Sequence, residues 1–214
     1  EMQRSLVGSE MCIRDRCIMV CSGKGGTGKS TVSVLLGACL ARLGRKTLLV
    51  ELDSGLRSVD IIAGVYGRTV YDIEDVLCGR CEGAKAVVPS PLYPGLSVIS
   101  APYEGGAVEA APLGRLLVAM RPYFDYVILD TAPVGMVTDT LLIGRVADLS
   151  IYVCRADYTH KAEYTLINEL AIEKKLSKLC TVINGVDLKK RKYGYYYGYG
   201  KYGKLSLIHI SEPT

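Results

Sequence analysis

The sequence predicts an α/β fold in three layers, a mostly parallel sheet flanked by helices. Three observations predict it. Apolar runs of four to six residues alternate with longer amphipathic stretches, the pattern of βαβ units. A glycine-rich stretch sits between the first apolar run and the first amphipathic one, where an α/β fold makes its tightest turn. The length, 214 residues, suits one well-buried core and is too short for two large ones.

The strands are expected at 17–21 (CIMVC), 47–51 (TLLVE), 96–100 (LSVIS), 126–130 (YVILD), 149–154 (LSIYVC) and 179–184 (LCTVIN), each a short apolar run. Helices are expected at 29–43, 71–78, 106–120, 139–146 and 161–176. Pro89, Pro91 and Pro94, with the glycines near them, break the middle of the chain into a loop. Past Asp187 the pattern ends. Tyrosine and glycine alternate there without bulky aliphatics, so residues 189–204 cannot bury enough surface to offset their ordering entropy, and a disordered tail is predicted.

The formal net charge is +4, but Lys189, Lys190, Arg191, Lys192, Lys201 and Lys204 supply six positive charges, leaving −2 for the remainder. Basicity is therefore local to the tail and does not mark the whole chain as a nucleic-acid binder. No apolar run approaches the roughly 20 residues of a membrane span. Of eight cysteines, Cys17, Cys21, Cys39, Cys154 and Cys180 lie in apolar segments, where a reduced thiol behaves as a small hydrophobe, and a cytoplasmic location is expected. Cys78 and Cys81 form a single CxxC without a second pair, which reads as surface thiols in a turn.

Both termini read as foreign. LVGSEMCIRDR, residues 6–16, can be encoded by a DNA string whose reverse complement, read in a shifted frame, gives LSLIHISEPT, residues 205–214. The pair resembles translated sequencing adapter of the transposon-based kind. Residues 1–16 and 205–214, His209 included, are accordingly set apart from function, leaving a domain at 17–188 and the tail at 189–204.

GKGGTGKS, Gly23 to Ser30, satisfies G-x-x-x-x-G-K-[ST] between a strand and a helix, the context a P-loop requires. The glycines Gly23, Gly25, Gly26 and Gly28, with Thr27, let backbone N–H groups turn inward around phosphate oxygens. The following helix adds its positive end. Lys29 is placed to contact the β and γ phosphates, Ser30 to ligate Mg²⁺, and Thr31 to reach the α phosphate. Asp130, closing a buried strand, faces the ligand crevice as a metal-shell acid. ATP and Mg²⁺ are the implied ligands.

KGGTGKST, residues 24–31, resembles the deviant Walker A motif of MinD and ParA ATPases. That resemblance implies that Lys24 reaches across a nucleotide-sandwich dimer to the partner's phosphates. VELDSGLRSVD, residues 50–60, is similar to the MinD segment carrying two carboxylates before Gly-Leu-Arg. It implies that Asp53 orients the attacking water close to the metal. Glu51 stands where aspartate is usual, and its longer side chain leaves its role open. DTAP, 130–133, reads as a Walker B or switch element. In the same superfamily an asparagine at the position of Asn184 hydrogen-bonds the adenine edge.

From about residue 17 to 123 the chain looks like MinD. Beyond it, FDYVILDTAPVGMVTDTLLIGRVADLSIYVCRADYTHK and the tail resemble bacterial tyrosine kinases of capsule and exopolysaccharide export. FDYVILD is common to both groups, so a join near 124–130 is expected, of the kind that misassembly of two genes would leave. The kinase resemblance implies that Tyr193, Tyr195, Tyr196, Tyr197, Tyr199 and Tyr202 are phosphoacceptors. The kinase pattern is incomplete: such relatives generally lack Lys24, and Gly55 stands where they carry arginine.

Two enzymes and one binding module follow. The first is an ATPase switch, a homodimer or homo-oligomer cycling with nucleotide, with a division or inner-membrane export partner and a peripheral place at the inner face of the membrane. The second is a tyrosine autokinase acting on neighbouring tails. In the third the tail is an arm for bases or acidic headgroups. The tail lacks the apolar stripe of the terminal membrane helix found in MinD relatives.

Overall fold

The computed structural model of the protein describes residues 17–55, 57–104, 110–134 and 139–187. The six tail tyrosines from Tyr193 to Tyr202, both adapter-like ends and His209 lie outside the described residues.

Among the described residues seven strands form one sheet: β1 (Cys17–Cys21), β2 (Thr47–Glu51), β3 (Val88–Pro89), β4 (Leu96–Ile99), β5 (Tyr126–Asp130), β6 (Leu149–Arg155) and β7 (Leu179–Asn184). Their order is β3-β4-β2-β5-β1-β6-β7, and every pairing is parallel except β3 with β4. Strands β1 and β2 are buried at every position, as strands covered on both faces must be, which is why they read as unbroken apolar runs.

Alternate residues of each strand feed opposite layers. On one face Val20, Leu49, Ile128 and Val153 pack under α1 (Lys29–Arg42) and α2 (Ser58–Ala63). On the other, Met19, Val50, Leu129 and Tyr152 pack under α3 (Ile73–Leu77), α4 (Gly83–Ala86), α5 (Ala110–Met120), α6 (Asp139–Ile143) and α7 (Lys161–Ile172). The three-layer expectation holds.

Where the elements differ from expectation, local physics accounts for it. Pro89 lies in a strand rather than a loop: β3 is the sheet edge, where a residue without an N–H does no harm. The helix expected at 71–78 starts later, because Asp72 caps it through reciprocal bonds with Asp75, each 3.1 Å. The helix expected at 161–176 stops at Ile172, and Lys174 takes a left-handed φ of 50°. The helix expected at 139–146 tightens into a 3-10 turn over Gly144–Val146. Cys39, expected in an apolar setting, lies on the solvent face of α1, whereas Cys17, Cys21, Cys154 and Cys180 are buried free thiols. Among the described residues no helix is long and apolar enough to cross a membrane.

Candidate nucleotide site

The connection from β1 moves to one side of it, through β2 and β4, and the chain later continues to the other side through β6 and β7. Crevices at the carboxyl ends of strands beside such a reversal are where α/β sheets bind ligands. Five strands deliver candidate residues to that end: β1 leads into the glycine loop, β2 ends at Glu51 two residues before Asp53, β5 ends at Asp130, β6 at Arg155 and β7 at Asn184.

Two glycines of the loop leave no room for a side chain. Gly28 caps α1 at φ 94°, a left-handed conformation, and a Cβ there would collide with Asn184 Nδ2. Gly23 is constrained differently: a Cβ would stand 2.5 Å from the Tyr152 hydroxyl and 2.7 Å from Glu163 Oε2.

Lys29 opens α1 with only 6 % of its side chain exposed, and its Nζ stands 3.9 Å from Asp53 Oδ2. Burial pushes the Asp53 carboxyl above its usual range, and the Lys29 charge draws it back. Asp130 is fully buried; Ser33 Oγ donates to its Oδ1 at 2.8 Å. Burial pushes its carboxyl up to about 6, against the pull of the Ser30 and Ser33 hydroxyls and Lys29. Its Oδ2 has no hydrogen-bond partner among the described residues. An unpartnered buried oxygen beside a serine hydroxyl fits a hard cation that takes one or two carboxylates and completes its shell with phosphate and water. Among the described residues no cluster of three His, Cys, Asp or Glu side chains forms a metal cage.

Glu51 is as buried as Asp130, its partner in the β2–β5 register. Its oxygens accept from Val59 N at 3.2 Å and Ala101 N at 3.5 Å, tying the start of α2 to the end of β4. Burial pushes its carboxyl up to about 8, with Asp130 and Asp60 adding to the rise. Nearby, Arg57 and Asp60, both buried, pair at 2.7 Å, and Arg57 stacks over Tyr103 at 4.3 Å.

Lys24 is half-exposed, and its Nζ lies 3.9 Å from Glu163 Oε1. Asn184 Nδ2 donates to Thr27 O at 3.0 Å, so its amide meets the loop backbone. An amide has two donors and an acceptor, which leaves capacity for a base edge. Arg155 and Tyr158, which sequence reasoning missed, also reach the loop, at Gly26 O and Gly25 O.

The model of the CobQ/CobB/MinD/ParA nucleotide binding domain matches residues 18–192. Among curated proteins, the septum site-determining protein MinD of Synechocystis is 40% identical over 124 residues, 57% of this chain and 46% of that protein. The chain thus spans about half the length of the MinD relatives it matches. The tyrosine-protein kinase CpsD of Streptococcus pneumoniae is 28% identical over 194 residues, 88% of this chain and 84% of that protein. Among solved structures, the MinC:MinD cell division complex of Aquifex aeolicus superposes with a TM-score of 0.72 at 28% identity, over 84% of this chain and 72% of that one.

Proposed function

The chain belongs to the CobQ/CobB/MinD/ParA nucleotide-binding domain family, and from that premise we propose that it binds and hydrolyses ATP with Mg²⁺ as a switch that dimerises with nucleotide. One observation carries the reading: a buried lysine at the mouth of the glycine loop, facing Asp53, beside an aspartate with an unpartnered oxygen. A buried ammonium and an orphaned carboxylate oxygen cost stability unless a ligand uses them.

In this reading the loop amides and Lys29 hold the β and γ phosphates. Asp53 orients a water for in-line attack on the γ phosphorus. The new P–O bond forms as the bond to the bridging oxygen breaks, and Lys29 with the amides takes up the charge left on ADP. Bound Mg²⁺ supplies further neutralisation of phosphate oxygens, and Ser30, Asp53 and Asp130 are the residues that would hold it. Lys24, at the exposed rim, is the group that would reach a second copy. A cytoplasmic protein working at the inner face of the membrane fits this reading.

A second reading, tyrosine autokinase, is favoured by one observation: similarity to the tyrosine-protein kinase runs over most of both chains. The γ-phosphoryl would then pass to Tyr193, Tyr195, Tyr196, Tyr197, Tyr199 or Tyr202 of a neighbour: the bond from phosphorus to the bridging oxygen breaks as the phenol O–P bond forms, ADP leaves, and the hydroxyl proton passes to water. Incubation with Mg-ATP separates the two. Phosphate release with an unmodified tail supports the switch, and phosphotyrosine found by mass spectrometry supports the kinase. Both signals must vanish in Lys29→Ala. A protein that gives neither overturns both readings.

A further inference from the structure

Three side chains at or just past the ends of β6 and β7 grip three consecutive carbonyls of the glycine loop. Tyr158 Oη donates to Gly25 O at 3.1 Å, Arg155 Nη1 to Gly26 O at 3.0 Å, and Asn184 Nδ2 to Thr27 O at 3.0 Å. The grip is itself braced. Thr159 Oγ1 accepts from Arg155 N at 2.8 Å, the Arg155 guanidinium lies 5.5 Å from the Tyr158 ring, and Ala156 N donates to Asn184 O at 2.9 Å.

A planar trans peptide points its N–H opposite to its C=O. A carbonyl held on one side of the loop therefore aims the N–H of the next residue to the other. The three anchored carbonyls belong to the peptide units whose N–H groups are those of Gly26, Thr27 and Gly28. Glycine is the residue whose peptide units rotate most freely, and two of these three amides belong to glycines. An unanchored loop of this composition would sample inverted peptides that turn a carbonyl toward an incoming anion.

We propose that Arg155, Tyr158 and Asn184 form a clamp that presets the peptide planes of the glycine loop, so that the amides of Gly26, Thr27 and Gly28 converge on phosphate before it arrives. They are positioning residues: they act through the backbone. The inference rests on the nucleotide-binding reading above for its consequence, and on the three contacts alone for its structural part.

The test has one arm without ligand and one with. In the ligand-free full chain, amide ¹⁵N shifts are recorded for wild type, Tyr158→Phe, Arg155→Ala and Asn184→Ala. Each variant is expected to move one amide most: Gly26, Thr27 and Gly28 respectively. Calorimetry with Mg-ADP and with adenosine follows. Losing one hydrogen bond worth about 1 kcal/mol should weaken Mg-ADP binding about fivefold in Arg155→Ala and in Tyr158→Phe, leave adenosine unchanged in both, and be partly restored by Arg155→Lys; Asn184→Ala is read by its amide shift alone. Variant spectra that match wild type at all three amides overturn the clamp, as does full Mg-ADP affinity in both Arg155→Ala and Tyr158→Phe. A wild type that binds no Mg-ADP overturns the nucleotide reading instead, and the amide shifts then decide the clamp separately.

Discussion

Replacing Glu51 by glutamine removes a titratable proton from beneath the site while keeping nearly the same shape. In the folded chain this carboxyl is pushed from its ordinary 4.5 up to about 8, chiefly because burial strips its water. In the unfolded chain it returns to the ordinary value, so between the two the native state holds the proton more tightly. Stability then falls as pH rises. At about 1.36 kcal/mol per pH unit, the 3.5-unit interval between those values corresponds to about 5 kcal/mol as a ceiling. Relaxation of the loops holding Val59 and Ala101, and entry of water, bring the expected effect to about 2 kcal/mol or more.

Glutamine carries no such proton, so its contribution is flat with pH. It presents one oxygen where the carboxylate presents two, and the Ala101 N–H at 3.5 Å faces an amide nitrogen or loses its acceptor. A constant offset of about 1 kcal/mol is therefore expected against the variant. The informative quantity is the pH dependence of the difference, measured by urea unfolding of both proteins without nucleotide or metal. From about pH 5 to about pH 8 the variant should gain on wild type by about 2 kcal/mol or more. Asp130 and Asp53 titrate in both proteins and largely cancel. A difference that stays constant across that window refutes the assignment of a buried, mostly protonated Glu51.

Three further outcomes follow from the same geometry. Ser33→Ala strips Asp130 Oδ1 of its buried donor; it should cost about 1–3 kcal/mol in urea unfolding and push the Asp130 carboxyl further above about 6. Gly28→Ala meets Asn184 Nδ2 at a left-handed φ, a conformation costing about 1–2 kcal/mol, so melting should fall by several degrees and Mg-ADP heat should disappear. Glu163→Gln releases a half-exposed Lys24 from a long, 3.9 Å pairing with a mostly buried carboxylate, and because that carboxylate gains little from so distant a partner, stability should change by no more than about 1 kcal/mol. If Lys24 serves a second copy, dimer formation with Mg-ATP, followed by light scattering, should then need less protein.

What the sequence reveals here tracks how local the physics is. CIMVC, TLLVE and YVILD are strands at the bounds their apolar runs suggest, because cover on both faces selects apolar side chains along them; LCTVIN, a partly buried edge strand, keeps its expected bounds through its run of β-branched and apolar residues. The glycine loop is legible for the same reason: spacing, residue type and context lie within one short stretch. Strand β3 is two residues long and includes a proline, which gives no period to detect. Helices α2 and α4 are too short for a helical repeat. The clamp leaves no local mark at all. Arg155 and Tyr158 meet the loop across separations of 129 and 133 residues, and only the sheet order brings them there.

That sheet order also bears on the change of relatives expected near 124–130. β1, which launches the glycine loop, is hydrogen-bonded to β5 on one side and β6 on the other. Both neighbours lie at or beyond the point where the sequence motifs lead one to expect that the resemblance passes from MinD to the tyrosine kinases. Without them a strand buried along its whole length would present two unsatisfied edges, a cost no fold of this size carries within a margin of about 5–15 kcal/mol. The loop's three carbonyl anchors and Asp130 come from the same later segment. The boundary in resemblance is thus not a boundary in structure: the lysines belong to one side of it, the groups that orient the loop around them to the other, and a nucleotide site exists only where the two are folded together.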